Sequence, residues 1–225
     1  MKRQIANTEM IARAADPTTL WGLSIMKKFA ATALLGLATL SFANAQVADC
    51  APGKLSDYEK LGPQGCIIGD KKFSNFQYRR GAAGLPSDAI SLTPGTTPDS
   101  FDPGLLFEGK WASASEKSFV SYSVEVQPNG KLITGASLQM QLGTITGTGK
   151  ATVLADLCSS DSTADTCGSQ TLELKVLLSA DGPKTPVDTG QFKEPQKEIH
   201  VVTPVDLVAG SGGSADLDGF MEVFQ

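Results

Sequence analysis

The chain has 225 residues, with 19 Lys and Arg against 24 Asp and Glu and a single histidine, a formal net charge of −5. A field of that sign repels phosphate backbones, and no basic stripe interrupts it, which argues against nucleic acid as a partner. One histidine and no Cys-x-x-Cys pair leave little for structural zinc or for imidazole-based catalysis.

In chain order, residues 1–25 mix both charge signs without periodicity. We read them as an upstream extension that is not translated, with Met26 as the initiator. Residues 26–45 then have the layout of a secretory signal peptide: Lys27 and Lys28, an apolar run from Phe29 to about Leu40, and Ala43-Asn44-Ala45 before Gln46. The apolar run is shorter than the roughly 20 residues a membrane-spanning helix needs. Asp49 stands directly before Cys50, where a lipoprotein site requires a small neutral residue. The expected product is therefore residues 46–225, secreted to the cell exterior and not inserted in a membrane after cleavage.

Those 180 residues carry a formal charge of −8, and their length suits one domain with a core of its own. All four cysteines lie in this part. An even count in an oxidising compartment reads as disulfides. Three pairings are possible, and Cys50–Cys66 with Cys158–Cys167 is favoured, because each closes a short turn-rich loop.

From Gly65 onward the dominant period is two. Strands are expected over Cys66–Ile68, Lys72–Tyr78, Ala89–Leu92, Leu105–Lys110, Val120–Val126, Ser137–Leu142, Thr144–Leu154, Leu172–Val176, Ile199–Leu207 and Ala215–Phe224. Pro128-Asn129-Gly130 supplies a tight turn. One helical turn is expected over Leu55–Leu61, with Ser56 as its cap and Glu59 three residues later. Arg80–Phe101 and Ala180–Pro195, rich in Gly and Pro, read as long loops. The basic run Lys71-Lys72 with Arg79-Arg80 reads as the solvated face of a hairpin. Roughly ten short strands without helices imply an all-β fold, an antiparallel β-sandwich or jelly roll in a single domain.

Candidate chemistry is sparse. His200 lies along a strand between apolar neighbours, on its wetter face, which suits packing better than catalysis. No Gly-x-Ser-x-Gly elbow occurs. Glu125, Glu173 and Glu198 lie on wet faces, where acids serve solubility. No catalytic residues are assigned, and the chain is read as non-enzymatic. Oxygen ligands for a loop-bound calcium could come from Asp161 and Asp165, beside Asp156, or from Asp216 and Asp218, although neither stretch has the full EF-hand spacing. No other cofactor is expected. Trp111 is a candidate platform for stacking a sugar, but it shares strand parity with Phe107, and core packing is the simpler account.

The stretch Gly65-Cys66-Ile67-Ile68-Gly69-Asp70-Lys71-Lys72-Phe73-Ser74-Asn75-Phe76 resembles a GC-x-IGDK-x-FSNF pattern of secreted bacterial proteins of the PEP-CTERM type. Ser56-Asp57-Tyr58, Thr146-Gly147-Thr148-Gly149 with Cys158, and the closing stretch from Gly210 to Gln225 extend the resemblance over most of the region. Such proteins usually end in Pro-Glu-Pro, an apolar span and a basic cluster. This chain stops at Gln225 with none of them. The resemblance implies an extracellular protein of matrix or cell surface, with polysaccharide or matrix components as partners, and carries over no site residues. The function expected is structural or surface-associated. The alternative is a carbohydrate-binding module, calcium-assisted, using loops at one end of the sandwich.

Overall fold

The computed structural model describes residues 46–81, 84–96, 102–112, 117–141, 143–159, 167–180, 182 and 184–225. The expected upstream extension and signal peptide lie outside these residues. The elements are β1 (Gly53–Lys54), α1 (Leu55–Glu59), β2 (Cys66–Ile68), β3 (Lys71–Arg79), β4 (Ser91–Thr96), β5 (Pro103–Ala112), β6 (Ser118–Val126), β7 (Ile133–Met140), β8 (Gly143–Ile145), β9 (Lys150–Cys158), β10 (Gln170–Ser179), β11 (Val187–Gln196), β12 (Glu198–Val208) and β13 (Ala215–Phe224), with a 3-10 turn at Ser87–Ala89.

The strands form two antiparallel sheets packed face to face. One runs β1-β4-β5-β13-β7-β11, with β8 also on β13; the other runs β10-β9-β12-β6-β3-β2. Period two explains the layering. On β6, Val120, Tyr122 and Val124 point inward, while Glu125 sits opposite Glu198 on the outer face. Leu105 and Phe107 of β5, Leu138 of β7, and Phe220 and Phe224 of β13 form the facing wall, all buried. Aromatic rings dominate the centre. Phe107 stacks on Phe220 with centroids 4.8 Å apart, and Phe76 stacks on Tyr122 at 5.2 Å.

The all-β sandwich is thus what the alternation predicts, with thirteen strands among the described residues rather than roughly ten. The expected strand Thr144–Leu154 is two, β8 and β9, parted by a turn in which Gly147 takes a φ of +57° and Gly149 N–H donates to Thr146 O. The expected loop Ala180–Pro195 becomes strand at Val187. Its ladder on β7 runs from Val187 opposite Gln139 to Gln191 opposite Gly135, then breaks before Gln196. Helix α1 is only five residues long and starts after Lys54, with no side-chain cap, so Ser56 does not play that role.

Two sheet edges are closed by side chains and turns. The part of β3 beyond its short pairing with β2 would expose N–H groups. Glu59 of α1 accepts from Tyr78 N–H at 3.0 Å, and Gly62 O accepts from Asn75 N–H at 2.8 Å. At the other end, β10 exchanges two backbone bonds between Leu177 and Thr185, and Asp188 Oδ2 accepts from Lys175 N–H at 2.8 Å. Unpaired edges of this kind otherwise recruit further strands.

Candidate functional site

The stretch from Gly65 to Phe76 is the most specific motif in the sequence, and the structure gives nearly every residue in it a packing task. Gly65 has a φ of +61° and lies against β3 so closely that a Cβ there would fall 2.1 Å from Phe73 O. Cys66 is bonded to Cys50. Gly69 turns the chain at a φ of +59°. Asp70 Oδ2 accepts from Lys131 N–H at 2.7 Å and Oδ1 from Lys71 Nζ at 2.6 Å. Partial burial pushes the Asp70 carboxyl up, yet the Lys71 ammonium and the Lys131 amide together hold it below its ordinary value.

Lys71 departs from the expectation of a solvated face. Its side chain is 3% exposed, and Nζ also donates to Lys131 O at 2.8 Å. Lys72 does face solvent, paired to Glu125 at 2.7 Å, and Arg79 lies over the Phe119 ring at 4.5 Å. Phe73 and Phe76 are both buried although three residues apart. The ladder shifts between Ser74 and Gln77, and Asn75 adopts a φ of +56°, so the inserted bulge returns Phe76 to the inner face.

The other expected residues disperse. Trp111 is 4% exposed and packs on Phe220 with centroids 5.8 Å apart, which makes it a core residue and not a platform for sugars. Asp161 and Asp165 lie outside the described residues. Asp216 sits in the ladder between Ala112 and Thr144, and Asp218 is exposed at a register shift, where it lies opposite the two β5 residues Gly109 and Lys110. Among the described residues, no three His, Cys, Asp or Glu side chains stand where one metal ion could bind them. The second disulfide joins Cys158 to Cys167, so both pairings are the short-loop ones.

On the outer face of the six-stranded sheet, register brings polar groups side by side. His200 stands between Ser123 and Cys158, with Ser123 Oγ 3.3 Å from its Nδ1. One step along, Val202 stands beside Asp156, which faces Glu173. Gln170 Nε2 donates to Asp156 at 2.6 Å and to Glu173 at 3.1 Å. Burial, and then the Glu173 charge, raise the Asp156 carboxyl above its ordinary value. On the outer face of the other sheet, Thr93, Gly95, Gly104, Leu106, Met221 and Val223 line an apolar groove of about 200 Å³.

The residue that alternation hid in plain view is Glu222. It lies on β13 between Phe220 and Phe224, on the face whose other members are core, and is 2% exposed. Thr203 of β12 donates to its Oε1 at 2.6 Å, and the Tyr122 hydroxyl of β6 donates to its Oε2. The three side chains join the two sheets through the centre of the core. Burial pushes the Glu222 carboxyl up to about 7 against these two bonds, which favour its ionised form. Burial, and then the neighbouring Glu222, push the Tyr122 phenol well above its ordinary value. The parity of Phe220, Glu222 and Phe224 is the signal in the sequence that could have found it.

No family model matches the sequence, and no curated protein matches it. Among the solved structures that align with it, two illustrate the level of similarity. TmCBM61, solved in complex with beta-1,4-galactotriose, is 12% identical, with 68% of this chain and 90% of that one covered and a TM-score of 0.29. The enzymatically active domain of tailspike protein 4 from bacteriophage CBA120 is 9% identical over 70% of this chain, with a TM-score of 0.25. This second match spans 20% of the tailspike chain. Likeness at this level carries neither a ligand nor an activity to this protein.

Proposed function

We propose that the chain is exported and serves, without catalysing a reaction, as a structural or surface-associated component of the bacterial exterior. The observation that carries this reading is the pairing of all four cysteines, Cys50 with Cys66 and Cys158 with Cys167. Disulfides of this kind form and persist outside reducing cytosol. Each closes a short loop and stabilises the fold by about 3 kcal/mol in the chain-entropy estimate. The use of the Gly65–Phe76 stretch in packing and turns supports the same reading, since its polar residues serve the scaffold.

Fractionation of producing cells, followed by non-reducing peptide mapping, tests the proposal. The protein is expected outside the cytosol, beginning at Gln46, with the peptides of each cysteine pair linked. Recovery from cytosol alone, with four free thiols, overturns it.

A second reading, carbohydrate binding, has support in the outer face of the six-stranded sheet. There Ser123, His200, Asp156, Gln170 and Glu173 align donors and acceptors across adjacent strands. It needs no stacking on Trp111. A glycan array decides between the two: selective binding that His200→Ala abolishes favours the second, and a blank array favours the first.

A further inference from the structure

Glu222 is buried midway between the sheets with only neutral company. In its own sheet, β5 and β7 set Leu105 and Leu138 opposite it. Across the core, β6 presents Tyr122 and β12 presents Thr203 and Val201, while β9 and β10 present Ala155, Leu157 and Leu174. Tyr122 is the one titratable group among these, and none is a cation. Lys71, the buried cation of the described residues, is bound to Asp70 and Lys131 O. The space beside the carboxyl admits no water. A carboxylate placed here has two hydroxyl donors and no counter-charge, whereas the neutral acid can donate its one proton to one of those hydroxyl oxygens and accept from the other.

We propose that Glu222 is a proton-operated catch between the two sheets: the neutral acid locks them together, and loss of its proton loosens them. The direction follows from linkage. The folded-state carboxyl holds its proton up to about pH 7, while the unfolded one releases it near its ordinary value of 4.5. A group raised in this way contributes stability that is full below the unfolded value and declines as pH rises to the folded one. Between those limits the unfolding constant rises about tenfold per pH unit, and above them it levels off.

Urea unfolding of the oxidised protein from pH 4.5 to 8 tests the catch. The wild-type unfolding constant is expected to rise about 100-fold more over this range than that of Glu222→Gln. The comparison cancels groups that both proteins share, such as Asp156 on the outer face of β9. Tyr122→Phe removes a donor that favours the ionised form, so it should move the wild-type midpoint to higher pH. Infrared spectra at pH 6 should show a protonated carboxyl in the wild type, which keeps the test open if Glu222→Gln does not fold. Equal slopes in wild type and Glu222→Gln, or an ionised Glu222 at pH 6, overturn the proposal.

Discussion

Gly65→Ala should lower the unfolding free energy by about 4 kcal/mol or more, the sum of left-handed strain and severe overpacking. The new methyl group would meet Phe73 O at 2.1 Å and Ser74 Cβ at 2.7 Å, and the first of these is backbone of a central-core strand. Relief would require β3 to withdraw from the Cys66 hairpin, pulling Phe73 with it. Gly69 is the matched control, because its φ of +59° is nearly the same and nothing lies within 4 Å of its would-be Cβ. Gly69→Ala should therefore cost only about 1–2 kcal/mol. Chemical denaturation of the two variants measures the difference. Equal losses would show that contact with β3 contributes nothing at Gly65.

The second large effect is expected at Asp70. Asp70→Ala leaves the Lys71 ammonium, 3% exposed, bound to Lys131 O and stripped of the Asp70 counter-ion. Breaking a fully buried pair from one side typically costs about 3–5 kcal/mol, and with the Asp70 side chain 35% exposed the loss here should lie at the low end of that range. Removing both charges is a different matter: Asp70→Asn combined with Lys71→Met should recover most of the loss, since the desolvation of the cation disappears with it. Unfolding midpoints of the single and double variants decide this, and a loss under about 1 kcal/mol for Asp70→Ala would mean the pair contributes as little as a surface one. The pH dependence differs in sign from that of Glu222. The Asp70 carboxyl is held low, so its contribution is present above the ordinary carboxylate range and fades as pH falls through it.

What the sequence makes legible here depends on whether a residue obeys the alternation around it. Val120 to Val126 reads as a strand and is one, because every second side chain is apolar and faces the aromatic core. The strand Val187–Gln196 does not read as one. Phe192 is its one buried side chain, Gly190 and Pro195 interrupt it, and pairing with β7 supplies what its composition lacks. Phe76 is out of phase with Phe73 and only the bulge at Asn75 reconciles them. Lys71 looks like a surface charge because burial of a lysine depends on a carboxylate arriving from the neighbouring turn, a tertiary fact. Cysteine spacing, by contrast, identified both disulfides, since loop length alone favours the two close pairs. Trp111 followed parity into the core, as its register with Leu217 requires.

If the chain is exported as proposed, the closed ends of the six-stranded sheet matter in a place where no ATP-driven chaperone dissolves a wrong assembly. With Glu59 and Gly62 O occupying the amides of β3, and Thr185 and Asp188 those of β10, a second molecule finds few free backbone groups at which to stack. Freeing the β10 amide with Asp188→Ala would reopen one doorway to polymerisation.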